Sequence, residues 1–157
     1  ARICAEGTAV ATGPAGFAAV FQIDCFDDWR ARSADIRIAG GATLTLRSDG
    51  QGRWTDALGR PLPTLEGCIV IDLAASPLTN ILPIRRVELA EREAREFRMA
   101  YVPFPSLEPF VDAQRYTCLS ADRHYLYEAV DGTFAAEITV DADGLVEDYP
   151  GLFRRVD

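Results

Sequence analysis

The chain has 157 residues, 48% hydrophobic and 25% charged, a balance that suits one globular domain with a substantial core. Its formal charge of −8 argues against nucleic acids and anionic membranes as partners, because both need a cationic face. No apolar run approaches bilayer length, so no membrane insertion is expected; the 16 cationic residues are all arginine.

Period-two alternation, the mark of strands with one buried face, dominates from the N-terminal third onward. In residues 17–26 (FAAVFQIDCF), Phe17, Ala19, Phe21, Ile23 and Cys25 share a face. Residues 29–38 break phase: Arg32, Ala34, Ile36 and Ile38 lie together while Trp29 lies opposite. Either a bulge resets the alternation or Arg32 points inward. Leu44 and Leu46 then alternate with Thr43, Thr45 and Arg47. A turn over residues 48–52 (SDGQG) leads to a short strand at 53–56, closed off by 59–63. Residues 67–73 (GCIVIDL) lack alternation and suit a strand covered on both faces.

Residues 78–89 (LTNILPIRRVEL) carry the sharpest expectation. Read as extended, they put Arg85 on the same face as Val87 and Leu89, and Arg86 outside near Glu88. A guanidinium cannot shed its charge, and burying it alone is costly. An inward Arg85 would therefore pair with a carboxylate such as Asp72, cover backbone carbonyls, or line a cavity for a polar or anionic ligand.

Residues 91–97 (EREAREF) are good helix formers between two strand-like runs, and read as a long hairpin connection with at most one helical turn. Three prolines in 102–109 demand a loop or extended crossing. Gln114 and Tyr116 then share a face, as do Tyr125 and Tyr127. Phe134, Ala136, Ile138 and Val140 alternate with polar or small neighbours, and the Asp141–Gly144 turn makes a hairpin with residues 145–149. A second turn at 148–151 (DYPG) is expected to return Leu152 and Phe153 to the core and leave Arg154 and Arg155 for surface carboxylates.

Turn signals without long helices between them predict a mainly β protein, a curled antiparallel, half-barrel-like sheet with little helix. Cys4, Cys25, Cys68 and Cys118 form no C-x-x-C pair, and His124, expected to be exposed, is the lone histidine. No metal site, no cofactor and no disulfide is expected. Buried free thiols lead to an expected cytoplasmic location; no secretory leader pattern is seen, and a start at Ala1 is compatible with a trimmed N-terminal piece. The G-x-S-x-G, H-E-x-x-H and Gly-rich phosphate motifs are missing, so no catalytic residue is assigned.

Four segments, CFDDWRARSADI (25–36), GCIVIDLAASPLTNILPIRR (67–86), QRYT (114–117) and FAAEITVDADGLVEDYPGLFRR (134–155), together resemble the bacterial family named for a putative glycolipid-binding domain. The resemblance covers nearly the whole chain. It implies a spiral β-roll with some likeness to the bacterial carriers that shuttle lipoproteins, and an amphiphilic small-molecule ligand of glycolipid type. Two positions depart from that pattern. Position 70, often acidic, is Val70, and position 78, often Phe, is Leu78.

The resulting expectation is non-catalytic binding of an amphiphile in a groove of the curled sheet. Candidate ligand-binding residues are Arg85, Arg32, Tyr101, Gln114, Tyr116, Trp54 and Tyr149. Each aromatic among them also suits an ordinary core or strand-edge position. Two alternatives stand beside it: an enzyme acting on a lipid-like or glycosidic substrate with Asp72 and Asp148 as acids, and an interaction module with no small ligand. Oligomeric state is left open.

Overall fold

The computed structural model describes residues 3–156. Strands β1 (Ile3–Ala11), β2 (Phe17–Cys25), β3 (Ala31–Ile38), β4 (Thr43–Ser48) and β5 (Trp54–Thr55) form a flat antiparallel meander in chain order. Strands β6 (Val70–Leu73), β7 (Ala94–Val102), β8 (Phe110–Ser120), β9 (His124–Ala129), β10 (Ala135–Val140), β11 (Val146–Tyr149) and β12 (Phe153–Arg154) form a curled half-barrel, again in sequential order. The mainly β class and the curl are as expected. The second sheet is a finding, and so is β1, whose run of small residues (ICAEGTAVA) carries too weak an alternation to be read as a strand.

The alternation breaks in residues 29–38 because of a bulge. Asp24 pairs with Ser33 and Cys25 with Ala31, which leaves Arg32 as the extra residue. Arg32 is exposed, with its guanidinium carbon 5.8 Å from the Phe26 ring centroid. The inward alternative for Arg32 is thereby corrected.

The larger correction concerns residues 77–86. They form a 3₁₀ turn (Pro77–Asn80) running into a short helix, α1 (Ile81–Arg86), not a strand. The local chemistry explains this. The Ser76 side chain caps the turn by accepting the Leu78 N–H at 3.2 Å. Pro83 falls in the first turn of α1, where an absent N–H costs nothing. Ile81, Leu82, Pro83 and Ile84 are buried in succession, and Arg85 and Arg86 occupy the last turn, where cations suit the exposed carbonyls. Four consecutive buried residues have no period of two, and the proline and two arginines disguise a helix this short.

This segment connects β6 to β7, and β6 pairs parallel to β7, with Val70 opposite Met99 and Leu73 opposite Val102. A parallel pair needs such a crossover. All four residues of β6 are buried, as the unalternating sequence implied. Residues 90–93 make a turn held by the Glu93 carboxylate on the Ala90 N–H (3.1 Å), so the helix formers there yield to β7.

The two sheets meet along the approach to β6. The Ala31 N–H donates to the Ile69 carbonyl (2.9 Å) and the Trp54 indole N–H to the Cys68 carbonyl (2.7 Å). Gly67 N–H donates to the Gly52 carbonyl at 2.9 Å. There the backbones are so close that a Cβ on Gly52 (φ +89°) would lie 2.8 Å from the Gly67 Cα. Phe17 stacks on Phe104 with ring centroids 5.5 Å apart. Leu46, Leu65, Val70, Ile71, Met99, Val102 and Ile138 are among the fully buried side chains around this junction and the inner faces of the sheets, each contributing about 1.5–3 kcal/mol.

Candidate functional site

Side chains two apart on a strand share a face, so the half-barrel's concave surface follows from its register. Asp72 of β6 lies opposite Tyr101 of β7, and Tyr101 lies opposite Phe110 of β8. Asp112, Gln114 and Tyr116 continue along β8, and Tyr127 of β9 lies opposite Tyr116. The Pro77–Arg86 segment packs into one end of this concavity as a plug. At the other end the concave face stays open as a groove of about 450 Å³.

Aromatic rings wall the groove. Tyr101 and Phe110 pair at 5.2 Å between centroids; Tyr127, Phe134, Tyr149 and Phe153 form a second bank with spacings of 5.9–6.2 Å. At the rim, Phe110, Phe134 and Leu152 are 48%, 39% and 56% exposed. The expectation that Leu152 and Phe153 return to the core holds for one of them: Phe153 is half-buried and packs on the core through Tyr149, whereas Leu152 faces solvent and is corrected. The DYPG turn lays both along the groove.

The floor is polar and hydrogen-bonded throughout. One amide nitrogen of Gln114, a fully buried residue, donates to Asp72 at 2.8 Å and to Asp112 at 2.9 Å. The Thr79 hydroxyl donates to the other Asp72 oxygen at 2.7 Å while accepting the Leu73 N–H at 3.0 Å. Asn80 donates to the Tyr116 hydroxyl at 2.8 Å, which in turn donates weakly to Gln114 Oε1 at 3.4 Å. Plug and sheet are thus tied by two side-chain bonds across the concavity. Among the described residues that line the groove none is basic, whereas Asp72, Asp112 and Asp131 are acidic.

Electrostatics follow from that imbalance. Burial raises the Asp72 carboxyl above its ordinary range, the neighbouring Asp112 charge adds to the rise, and the bonds from Thr79 and Gln114 only partly oppose it. Burial, together with Asp72, also raises the Tyr101, Tyr127 and Tyr149 hydroxyls, keeping them as neutral donors.

The residues singled out from sequence divide. Tyr101 and Tyr149 line the groove, and Gln114 and Tyr116 form the layer beneath it. Trp54 is buried at the sheet junction, Arg32 is on the surface, and neither lines the groove. Arg85 is exposed and leans over Trp29, its guanidinium carbon 5.6 Å from the ring centroid. Its inward placement is therefore corrected, and so is the pairing with Asp72, which Thr79 and Gln114 satisfy. Arg86 reaches Asp28 at 3.4 Å and not Glu88. His124 is half-buried and contacts Glu137 at 3.0 Å. Asp148 pairs with Arg154 at 3.5 Å, outside the groove, while Arg155 meets Asp141 at 2.9 Å.

Sequence reasoning did not find Asn80, Asp112 or the phenylalanine bank. The alternation Asp112-x-Gln114-x-Tyr116 carried the signal for Asp112. Asn80 is legible only once its segment is known to fold into the concavity.

A half-barrel plugged at one end, with an aromatic, acid-floored groove at the other, puts the chain in a class of mainly β proteins with a curled sheet and a concave face. The chain belongs to the family described as "Putative glycolipid-binding", whose model matches residues 1–155. Its fold is similar to the crystal structure of a DUF1089 family protein from Pseudomonas aeruginosa, with 36% identity and a TM-score of 0.86 over 98% of this chain and 92% of that one. No curated protein matches the chain. Among the described residues no helix is long and apolar enough to cross a membrane.

Proposed function

We propose that the protein binds an amphiphile of glycolipid type without chemically altering it, with the polar head in the groove between Tyr101, Tyr127 and Tyr149 and the tail along Phe110, Phe134 and Leu152. The observation that carries this reading is the juxtaposition of ring faces with a fully hydrogen-bonded polar floor in one concave site. Rings offer apolar faces to the C–H side of a sugar, and Asp112, Asn80 and the tyrosine hydroxyls offer directional partners for its hydroxyl groups. The exposed rim rings supply apolar surface that a tail covers, at roughly 0.8 kcal/mol per buried methylene. The family's description supports the ligand class. Three buried free thiols, Cys25, Cys68 and Cys118, support a reducing compartment such as the cytoplasm.

Titration calorimetry with octyl β-D-glucoside below its micellar concentration tests this. One-to-one binding that weakens at least tenfold in Tyr149→Ala and Phe134→Ala is expected. Failure of every alkyl-tailed ligand to bind a folded sample would defeat the proposal. A second reading, a catalyst on a glycosidic substrate, draws on a single observation: a buried acid whose affinity for its proton is raised by burial, Asp72, sharing the Gln114 amide nitrogen with a second carboxylate, Asp112. Turnover of nitrophenyl glycosides that disappears in Asp112→Asn would favour it over simple binding.

A further inference from the structure

The groove's electrostatics point to a narrower ligand class. We infer that the head group it prefers carries an ammonium, whether as an amino sugar or a quaternary amine, and that an anionic head is disfavoured. This inference rests on the amphiphile reading above and specifies the charge of the ligand in that same groove.

The rings come first. Tyr101 on one side, and Tyr127 and Tyr149 on the other, line a groove of about 450 Å³ from two directions, with Phe110 and Phe134 at its exposed rim. A ring face carries negative quadrupole density, and a desolvated cation between several faces is held far more strongly than at an open surface. A neutral sugar gains only dispersion and hydrophobic contact from the same rings.

The floor adds to this in the same direction. Asp72 and Asp112 accept from one Gln114 nitrogen, and no guanidinium, ammonium or imidazole among the groove's lining residues compensates them. Elsewhere in the molecule carboxylates find arginines readily: Asp28 with Arg30, Asp35 with Arg47, Asp49 with Arg53 and Asp56 with Arg60. Inside the groove, Asp72 and Asp112 instead have the Gln114 amide and the Thr79 hydroxyl as partners, and both are neutral. Asp131 at its edge spends its carboxylate on the Thr133 N–H and hydroxyl, at 3.0 and 2.6 Å, which leaves its charge uncompensated as well. A cationic head entering between the rings would neutralise the floor, whereas a sulfate or phosphate head would meet like charge there.

The groups that face Asp72 from the packed elements are Thr79 of the plug, Gln114 and Asp112 of β8, Tyr101 of β7, and the more distant hydroxyls of Tyr116, Tyr127 and Tyr149. The tyrosines stay neutral over the accessible range. Affinity for an ammonium head should therefore rise with pH as Asp72 loses its proton, while affinity for a neutral head should not.

The test compares three ligands with one tail: octyltrimethylammonium, octyl β-D-glucoside and octyl sulfate, each titrated calorimetrically into wild-type protein and into Asp112→Asn. The expected result is that the ammonium ligand binds roughly tenfold or more tightly than the glucoside, that the sulfate binds weakest, and that Asp112→Asn lowers ammonium affinity by a larger factor than glucoside affinity, which narrows the preference. Equal affinity of ammonium and glucoside would overturn the charge preference and leave the amphiphile site standing. Retention of the full preference in a folded Asp112→Asn, confirmed by near-ultraviolet circular dichroism, would overturn the role of the floor. If none of the three binds, both readings fall. The wild-type comparison decides the preference even if the variant does not fold.

Discussion

The Asn80 amide donates to the Tyr116 hydroxyl at 2.8 Å, joining residues 36 apart in sequence, and both are buried. This bond fastens the plug to the wall of the half-barrel and closes one end of the concavity. Asn80→Ala and Tyr116→Phe should each destabilise the protein by about 1–3 kcal/mol, since each strands a buried partner. The double variant should cost less than the sum, because removing both partners strands neither. Urea unfolding of the three variants measures this, and strict additivity would show that the bond does not hold the plug.

Asp72 is an acid whose folded form holds its proton more tightly than the unfolded chain does. Between the ordinary value of 3.8 and the raised one, unfolding releases a proton. Stability contributed by this group is present below the unfolded value and is lost as pH rises through the folded one. Asp72→Asn removes that dependence. Its amide can donate to Thr79 Oγ1 and accept from Gln114 Nε2, with the Thr79 hydroxyl turning to the Ser76 carbonyl at 3.4 Å. The variant should be more stable than wild type at pH 7 by about 1–2 kcal/mol, with the difference shrinking toward pH 4. Thermal melts across that range would reveal it; a less stable variant at pH 7 would contradict the picture.

Two glycines in the left-handed region should respond differently to alanine. Gly59 (φ +76°) has open space around its missing Cβ, so Gly59→Ala should cost only about 1 kcal/mol of backbone strain. Gly52→Ala adds a clash with the Gly67 backbone at the junction of the sheets. It should cost at least twice as much, as compared by thermal denaturation.

Cysteine reactivity reports the burial of the inner faces. Burial pushes the Cys25 thiol up to about 12 and the Cys68 thiol up to about 11, and raises Cys118 as well. Cys4 is exposed on β1. Iodoacetamide at pH 8 should therefore modify Cys4 in the native protein and reach the other three only after denaturation, as read by intact mass.

Arg85 lies on the outer end of α1 and contacts Trp29, not the groove. Arg85→Ala should leave octyl glucoside affinity within about twofold and cost no more than about 1 kcal/mol in stability. A large loss of affinity would return that arginine to the site.

Much of this molecule is written in its alternation. The faces of β2, β4, β8, β9 and β10, the turns at 48–52 and 141–144 and the doubly covered β6 are all legible, because a strand's side-chain period and a turn's backbone requirements are local properties. Family membership was legible for a similar reason, since TN-x-LPIRR, QRYT and YPGLFRR survive as short strings. Tertiary structure alone decided where those strings go. A six-residue helix has too few turns to show a period, so Arg85 passed for a strand residue, and only its folded position shows it outside. The groove likewise depends on β6, β7, β8 and β9 curling until Asp72, Tyr101, Asp112 and Tyr127 converge. Curvature is a property of the whole sheet, set by twist and by what packs against it, and no local pattern records it.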